Sequence, residues 1–113
     1  MNFEIVYLNE ATQFIRALDK KAVEKLLYCI TYAKQTSDPD VFKKLVGTNI
    51  WEFRFIYRRV KYRLFSFWDT EKGALVVCTH GIVKKTDKTP QKEIDKAESI
   101  RKQYYKDKYG KQV

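Results

Sequence analysis

Arg54 and Arg63, each on a segment of alternating polarity, and Lys84 and Lys85 at the end of a third such segment are the side chains here best suited to gripping an anion. A guanidinium offers a phosphate two parallel hydrogen bonds, and a lysine crowded by other cations has its pKa lowered towards the range useful for proton transfer. Lys84, Lys85 and Lys88 fall within five positions and repel one another, an arrangement tolerated where it meets water or an anion such as phosphate. Glu52 lies two positions before Arg54 on the same side of its segment. It is a base or, more simply, the ion-pair partner that orients that arginine. His80 is the only histidine and the only side chain whose unperturbed pKa lies near neutrality. On strict alternation it shares a face with Val76, Cys78, Ile82 and Lys84, where a structural role competes with catalysis. Lys43, Lys44, Arg58, Arg59 and Lys61 extend the basic surface, and each is otherwise a solvated cation. With one histidine and only Cys29 and Cys78, the chain lacks the residue sets that hold zinc, and the reading is of metal-free, cofactor-free chemistry.

The elements that must position these groups are legible in the periodicities. Asn2 to Leu8 reads as a strand, followed by a short helix from Glu10 to about Leu18, with Asn9 as its cap and Ala11, Phe14, Ile15 and Leu18 facing inward. Asp19 caps a second helix to about Gln35, striped by Val23, Leu26, Leu27, Ile30 and Ala33. Val41 to Leu45 suggests a helical turn carrying Lys43 and Lys44. Ile50 to Arg58 alternates with period two, placing Trp51, Phe53, Phe55 and Tyr57 opposite Glu52, Arg54, Ile56 and Arg58. Arg58 and Arg59 make a tight connection into a strand from Lys61 to Trp68, and a second hairpin leads into Ala74 to Val83. Thr89 and Pro90 read as N-cap and first residue of a final helix carrying Ile94, Ala97, Ile100 and Tyr104. That stripe is narrow and predicts light packing, with a frayed basic tail from Lys106. Tyr104 and Tyr105 read as packing residues. The order predicts an α+β fold: a mainly antiparallel sheet, an N-terminal helical hairpin on one face, a C-terminal helix, and a second face partly open to display Arg54 and Arg63.

The 113 residues fit a single domain, 1–113. A composition of 44% hydrophobic and 15% aromatic residues argues for a folded chain, and a formal charge of +9 points towards polyanions. The first residues lack the pattern of a signal peptide and no apolar run reaches about 18 residues, so the expectation is a soluble cytoplasmic protein with no membrane partner. Two cysteines in apolar contexts read as small hydrophobes rather than as a disulfide.

Taken together, Trp51, Glu52, Phe53 and Arg54, then Tyr62, Arg63, Leu64 and Phe65, then His80, Gly81, Ile82, Val83, Lys84, Lys85 and Thr86, then Lys88, Thr89 and Pro90 resemble the signature of RelE/HigB-type toxins. The similarity is closest to the phage-derived HigB-like branch and spans essentially the whole chain. Phe53 and Ile82 depart from the usual leucine and phenylalanine by apolar swaps. The resemblance implies a RelE-like fold and the toxin of a type II toxin–antitoxin system that cleaves mRNA on the ribosome. It also implies inhibition by a cognate antitoxin, a helix-turn-helix protein of HigA type. Such cleavage uses the 2′-hydroxyl as nucleophile and needs proton removal, phosphate neutralisation and protonation of the 5′-oxygen. On that reading Arg54 and Arg63 clamp the scissile phosphate, Lys84 or Lys85 transfers a proton, Glu52 and His80 orient or assist, and Lys43, Lys44, Arg58, Arg59, Lys61 and Lys88 hold RNA. Two alternatives stay open: a ParE-like inhibitor of DNA gyrase on the same scaffold, and a basic RNA- or ribosome-binding module without catalysis.

Overall fold

The computed structural model describes residues 1–113 as β1 (Glu4–Tyr7), α1 (Asn9–Arg16), α2 (Lys20–Gln35), β2 (Phe42–Lys44), β3 (Trp51–Tyr57), β4 (Val60–Asp69), β5 (Leu75–Lys84) and α3 (Gln91–Tyr109). The strands form one sheet in the order β1-β5-β4-β3-β2. β3, β4 and β5 are the antiparallel meander expected from the sequence, β2 adds antiparallel to β3, and β1 runs parallel to β5. The result is an α+β fold with a mixed, mainly antiparallel sheet.

One face of the sheet carries the helical hairpin. Asp19 caps α2 by accepting hydrogen bonds from the backbone of Lys21 and Ala22, and α1 has no side-chain cap because Asn9 is already its first helical residue. Ala11, Leu26, Cys29, Ile30 and Ala33 pack here with Phe3, Phe42, Phe53, Phe55 and Leu64. The buried stripe of α2 is Ala22, Leu26, Cys29, Ile30 and Ala33, rotated from the expected one, so Leu27 lies on the exposed side. The expected helical turn at Val41–Leu45 is instead β2. Its Phe42 lies opposite Phe53 and stacks on it with ring centroids 4.2 Å apart, a tertiary pairing that outweighs a weak local preference.

The opposite face is half covered, and by more than the narrow stripe of α3 suggested. Ala97 and Tyr105 close a second core with Ile50, Phe65, Phe67 and Val77, against which Tyr104 and Tyr109 pack. Burial of a ring such as Phe65 or Phe67 stabilises by roughly 1.5–3 kcal/mol, which explains why a highly charged helix docks firmly. The tail is helical as far as Tyr109, and Gly110 ends it in the left-handed conformation, φ 65°. α3 leaves the other end of this face free, and there the basic residues collect.

Strict alternation fails once, in β5. Leu64 pairs with Gly81 and Ser66 with Cys78, so the single residue Phe65 is opposed by two, Thr79 and His80. This bulge reverses the parity of the strand. Val76 and Cys78 belong to the hairpin-side core, whereas Ile82 joins the α3-side core and Lys84 pairs with Lys61 on the Arg63 face. His80 therefore shares its face with Ile82 and Lys84 but not with Val76 and Cys78.

Candidate active site

Arg54 and Arg63 stand directly opposite one another on β3 and β4. Both reach Glu52, whose Oε1 lies 3.6 Å from Arg54 Nε and 3.4 Å from Arg63 Nε. Glu52 is only 3% exposed, and its second oxygen accepts a hydrogen bond from Thr89 Oγ1 at 3.2 Å. These contacts hold the carboxylate between the two guanidinium groups and the Thr89 hydroxyl. Neither arginine Nε–H is aligned on an acceptor although both are buried, while Arg63 Nη1 donates to the Tyr62 carbonyl at 2.9 Å. A buried donor without a partner costs about 1–3 kcal/mol. Here the nearby Glu52 carboxylate offsets part of that cost.

Burial holds Arg63 below its ordinary pKa, with Arg54 acting in the same direction and Glu52 opposing. The same causes act on Lys84: partial burial first, then Arg63, Arg54 and Lys61 lower its pKa against the pull of Glu52. Lys84 faces Lys61 across the β4–β5 ladder, and Lys85 follows at the exposed start of the connecting loop. The structure thus brings Glu52, Arg54, Lys61, Arg63 and Lys84 together on one end of one sheet face. A cavity of about 510 Å³ opens beside them, lined by Arg54, Lys61, Arg63 and, on α2, Lys25, Tyr28 and Tyr32.

The other basic residues lie around this centre. Arg58 and Arg59 occupy the tip of the β3–β4 hairpin with φ of 50° and 65°, the left-handed pair that a two-residue hairpin turn requires. Arg58 rests over the Tyr57 ring, 5.3 Å from its centroid. Lys43 pairs with Glu52 and so shares its face, Lys44 pairs with Trp51 on the other face, and Lys88 is exposed in the loop before α3. His80 is outside the cleft. It is 2% exposed, stacks on Phe65 at 4.9 Å, contacts Thr79 Oγ1 through Nδ1 at 3.0 Å, and meets Glu93 Oε1 through Nε2 at 3.1 Å. Burial lowers its pKa, with Glu93 opposing, so it is neutral at pH 7.

Pro90, rather than the expected Thr89, occupies the cap position of α3, and the threonine hydroxyl turns to Glu52 instead. Tyr28, Tyr32 and Lys25 went unsingled in the sequence, although two tyrosines and a lysine at helical spacing on the polar side of α2 are a usable signal. Tyr104 and Tyr105 lie away from the cleft at the far end of β4. Tyr104 donates to Asp69 Oδ2 at 2.5 Å and Tyr105 contacts Thr70 and Trp68.

Residues 13–102 match the family described as phage derived protein Gp49-like (DUF891), and the chain belongs to that family, which is of the RelE/HigB toxin type. No curated protein sequence matches it. Among solved structures it is similar to a chain of the intact Escherichia coli RelBE toxin–antitoxin complex, with a TM-score of 0.54 and 19% identity over 76% of this chain and 99% of that one. The shared feature is the fold, an α+β sheet of RelE type.

Proposed function

We propose that this chain is the toxin of a type II toxin–antitoxin pair and acts in the cytoplasm as a metal-independent endoribonuclease on mRNA at the ribosome. The observation that carries the reading is the pair Arg54 and Arg63, opposed on adjacent strands, sharing one buried carboxylate and each holding an unaligned Nε–H. In the reaction the 2′-oxygen forms a bond to phosphorus, the bond from phosphorus to the 5′-oxygen breaks, and a 2′,3′-cyclic phosphate results. Arg54 and Arg63 neutralise the charge that builds on the phosphate oxygens. Lys84, its pKa lowered, takes the proton from the 2′-hydroxyl, and Lys85 or solvent returns one to the 5′-oxygen. Glu52, held by Thr89, fixes the two guanidinium groups. Lys43, Lys61, Arg58, Arg59 and Lys88 carry the flanking phosphates.

The partner that silences the toxin is an antitoxin with an acidic or amphipathic segment covering the basic end of the sheet, in a helix-turn-helix protein of HigA type. The formal charge of +9 favours rapid capture of such a segment.

Induced expression should arrest growth and create new 5′ ends inside open reading frames, and a folded Arg63→Ala protein should do neither. Growth arrest that persists in a folded double variant, Arg54→Ala with Arg63→Ala, would rule out this site. Arrest with intact mRNA and lost gyrase supercoiling would instead identify a gyrase inhibitor. Salt-sensitive ribosome association without cleavage would identify a binding module.

A further inference from the structure

The cavity beside the arginines does not end at the sheet. Beyond Phe42, β2 stops pairing and the outer edge of β3 from Phe55 onward is uncovered by a strand. Around that edge the cavity reaches α2, where Lys25, Tyr28 and Tyr32 fall at positions i, i+3 and i+7 and line its wall. Tyr28 is 70% exposed, an unusual state for so large a ring, and lies within 10° of parallel to Tyr32 with centroids 6.4 Å apart. Four cations, Lys25, Arg54, Lys61 and Arg63, line the same space against one carboxylate, Asp40. Cys29 at its base is not a reactive group: burial pushes its thiol up to about 11, and its Sγ–H faces the carbonyls of Val41 and Arg54.

Exposed aromatic faces interleaved with cations along one groove are how single-stranded nucleic acid is held without reading its sequence, the bases stacking while the phosphates are neutralised. We propose that Tyr28 and Tyr32 form a base-stacking platform for the nucleotide next to the phosphate bound by Arg54 and Arg63, with Lys25 on the following phosphate. This rests on the reading of the arginine pair as a phosphate site and adds a direction to it: the RNA strand leaves the cleft across the β3 edge towards α2. An acidic peptide would satisfy the cations. It would leave the two parallel rings without a planar partner, and so the observations favour RNA.

The test is fluorescence anisotropy of the full chain with a short all-deoxy oligonucleotide, which binds but lacks the 2′-hydroxyl needed for cleavage, at one fixed salt concentration. Stacking of one base predicts that Tyr28→Ala weakens binding by about tenfold, within the span found for such contacts, while Tyr28→Phe binds as the parent does. Against an oligonucleotide carrying one abasic position in the platform register, parent and Tyr28→Ala should bind alike. Because Tyr28 is exposed, both variants should fold, which circular dichroism checks. If Tyr28→Ala and Tyr32→Ala bind like the parent while Arg63→Ala binds weakly, the platform is wrong and the phosphate site stands. If the tyrosine variants weaken binding and the arginine variants do not, the platform holds and the reading of the cleft fails. Unchanged oligonucleotide binding together with weaker capture of the antitoxin by Tyr28→Ala would make this a protein-docking surface and overturn the proposal.

Discussion

At the scale of single residues, Lys84 separates the roles of charge and of proton transfer. Its pKa is lowered by partial burial and by Arg63, Arg54 and Lys61, so a neutral amine becomes accessible at less alkaline pH than for a free lysine. Lys84→Arg keeps the cation but fixes its proton. The expected outcome is oligonucleotide binding within a few fold of the parent and a cleavage rate lower by about a hundredfold or more, the usual worth of positioned acid–base catalysis. The rise in rate with pH expected of the parent should be absent from the variant. Equal rates and equal pH profiles would remove Lys84 from proton transfer and leave it as a phosphate contact. Which residues gather in the cleft was largely legible: period-two alternation put Glu52 with Arg54, and hairpin logic put Arg63 on the neighbouring strand. The fate of Thr89 was not legible, because a threonine before a proline at a helix start satisfies a cap rule locally, and only the folded chain shows that Glu52 competes for its hydroxyl.

At the scale of elements, Gly81 shows how tightly α1 seats on β5. A Cβ placed on Gly81 would fall 2.2 Å from Phe14 Cδ2 and 2.5 Å from its Cγ, so the ring as a whole must move. Gly81→Ala is therefore expected to destabilise the fold by about 1–3 kcal/mol, the usual cost of overpacking. Combined with Phe14→Ala, which has a cost of its own, the loss in a urea titration should be smaller than the sum of the two single losses; additive losses would show that the conflict lies elsewhere. Elements with strong periods, the three strands of the meander and both hairpin helices, could be read in advance. Three things could not. The rotation of α2 depends on the sheet it meets, since Leu27 and Cys29 are comparably apolar on paper. The strand at Phe42–Lys44 is too short to declare itself and exists because β3 offers an edge. The docking of α3 draws on aromatic residues of the sheet, Phe65 and Phe67, rather than on its own narrow stripe.

At the scale of the whole molecule, two cores on opposite faces of one sheet are fastened at different ends. The α3 side is closed by Asp69, fully buried at the end of β4, which accepts hydrogen bonds from Tyr104 at 2.5 Å, Tyr109 at 2.7 Å and the Glu71 backbone at 2.9 Å. Burial works to raise its pKa, but these bonds and the charge of Lys108 outweigh it and hold the group below its ordinary 3.8. A carboxylate depressed in the folded state stabilises fully above the unfolded value and loses that contribution as pH falls through the folded one. His80 behaves in the same sense higher on the scale. Its folded pKa is depressed from 6.5, so the unfolded chain takes up the proton first and stability falls as pH drops below that value. Urea midpoints measured from pH 8 to pH 2 should decline in two stages. Asp69→Asn should cost about 3 kcal/mol near neutrality, in line with charge-assisted bonds of this kind, and should flatten only the more acidic stage. A variant with an unchanged acidic stage would show that Asp69 is not its source.

The extra residue in β5 also bears on how a family of such chains can drift. Side-chain direction along a strand is a two-valued quantity, and the count of residues between Cys78 and Gly81 sets its value for everything downstream. Loss of one codon at Thr79 or His80 would leave charge, composition and the order of the motif segments almost untouched while turning Lys84 away from Arg63. A descendant carrying that lesion would still look armed on paper and be disarmed in three dimensions. For these chains, the spacing between motifs is inherited information in the same sense as the motifs themselves.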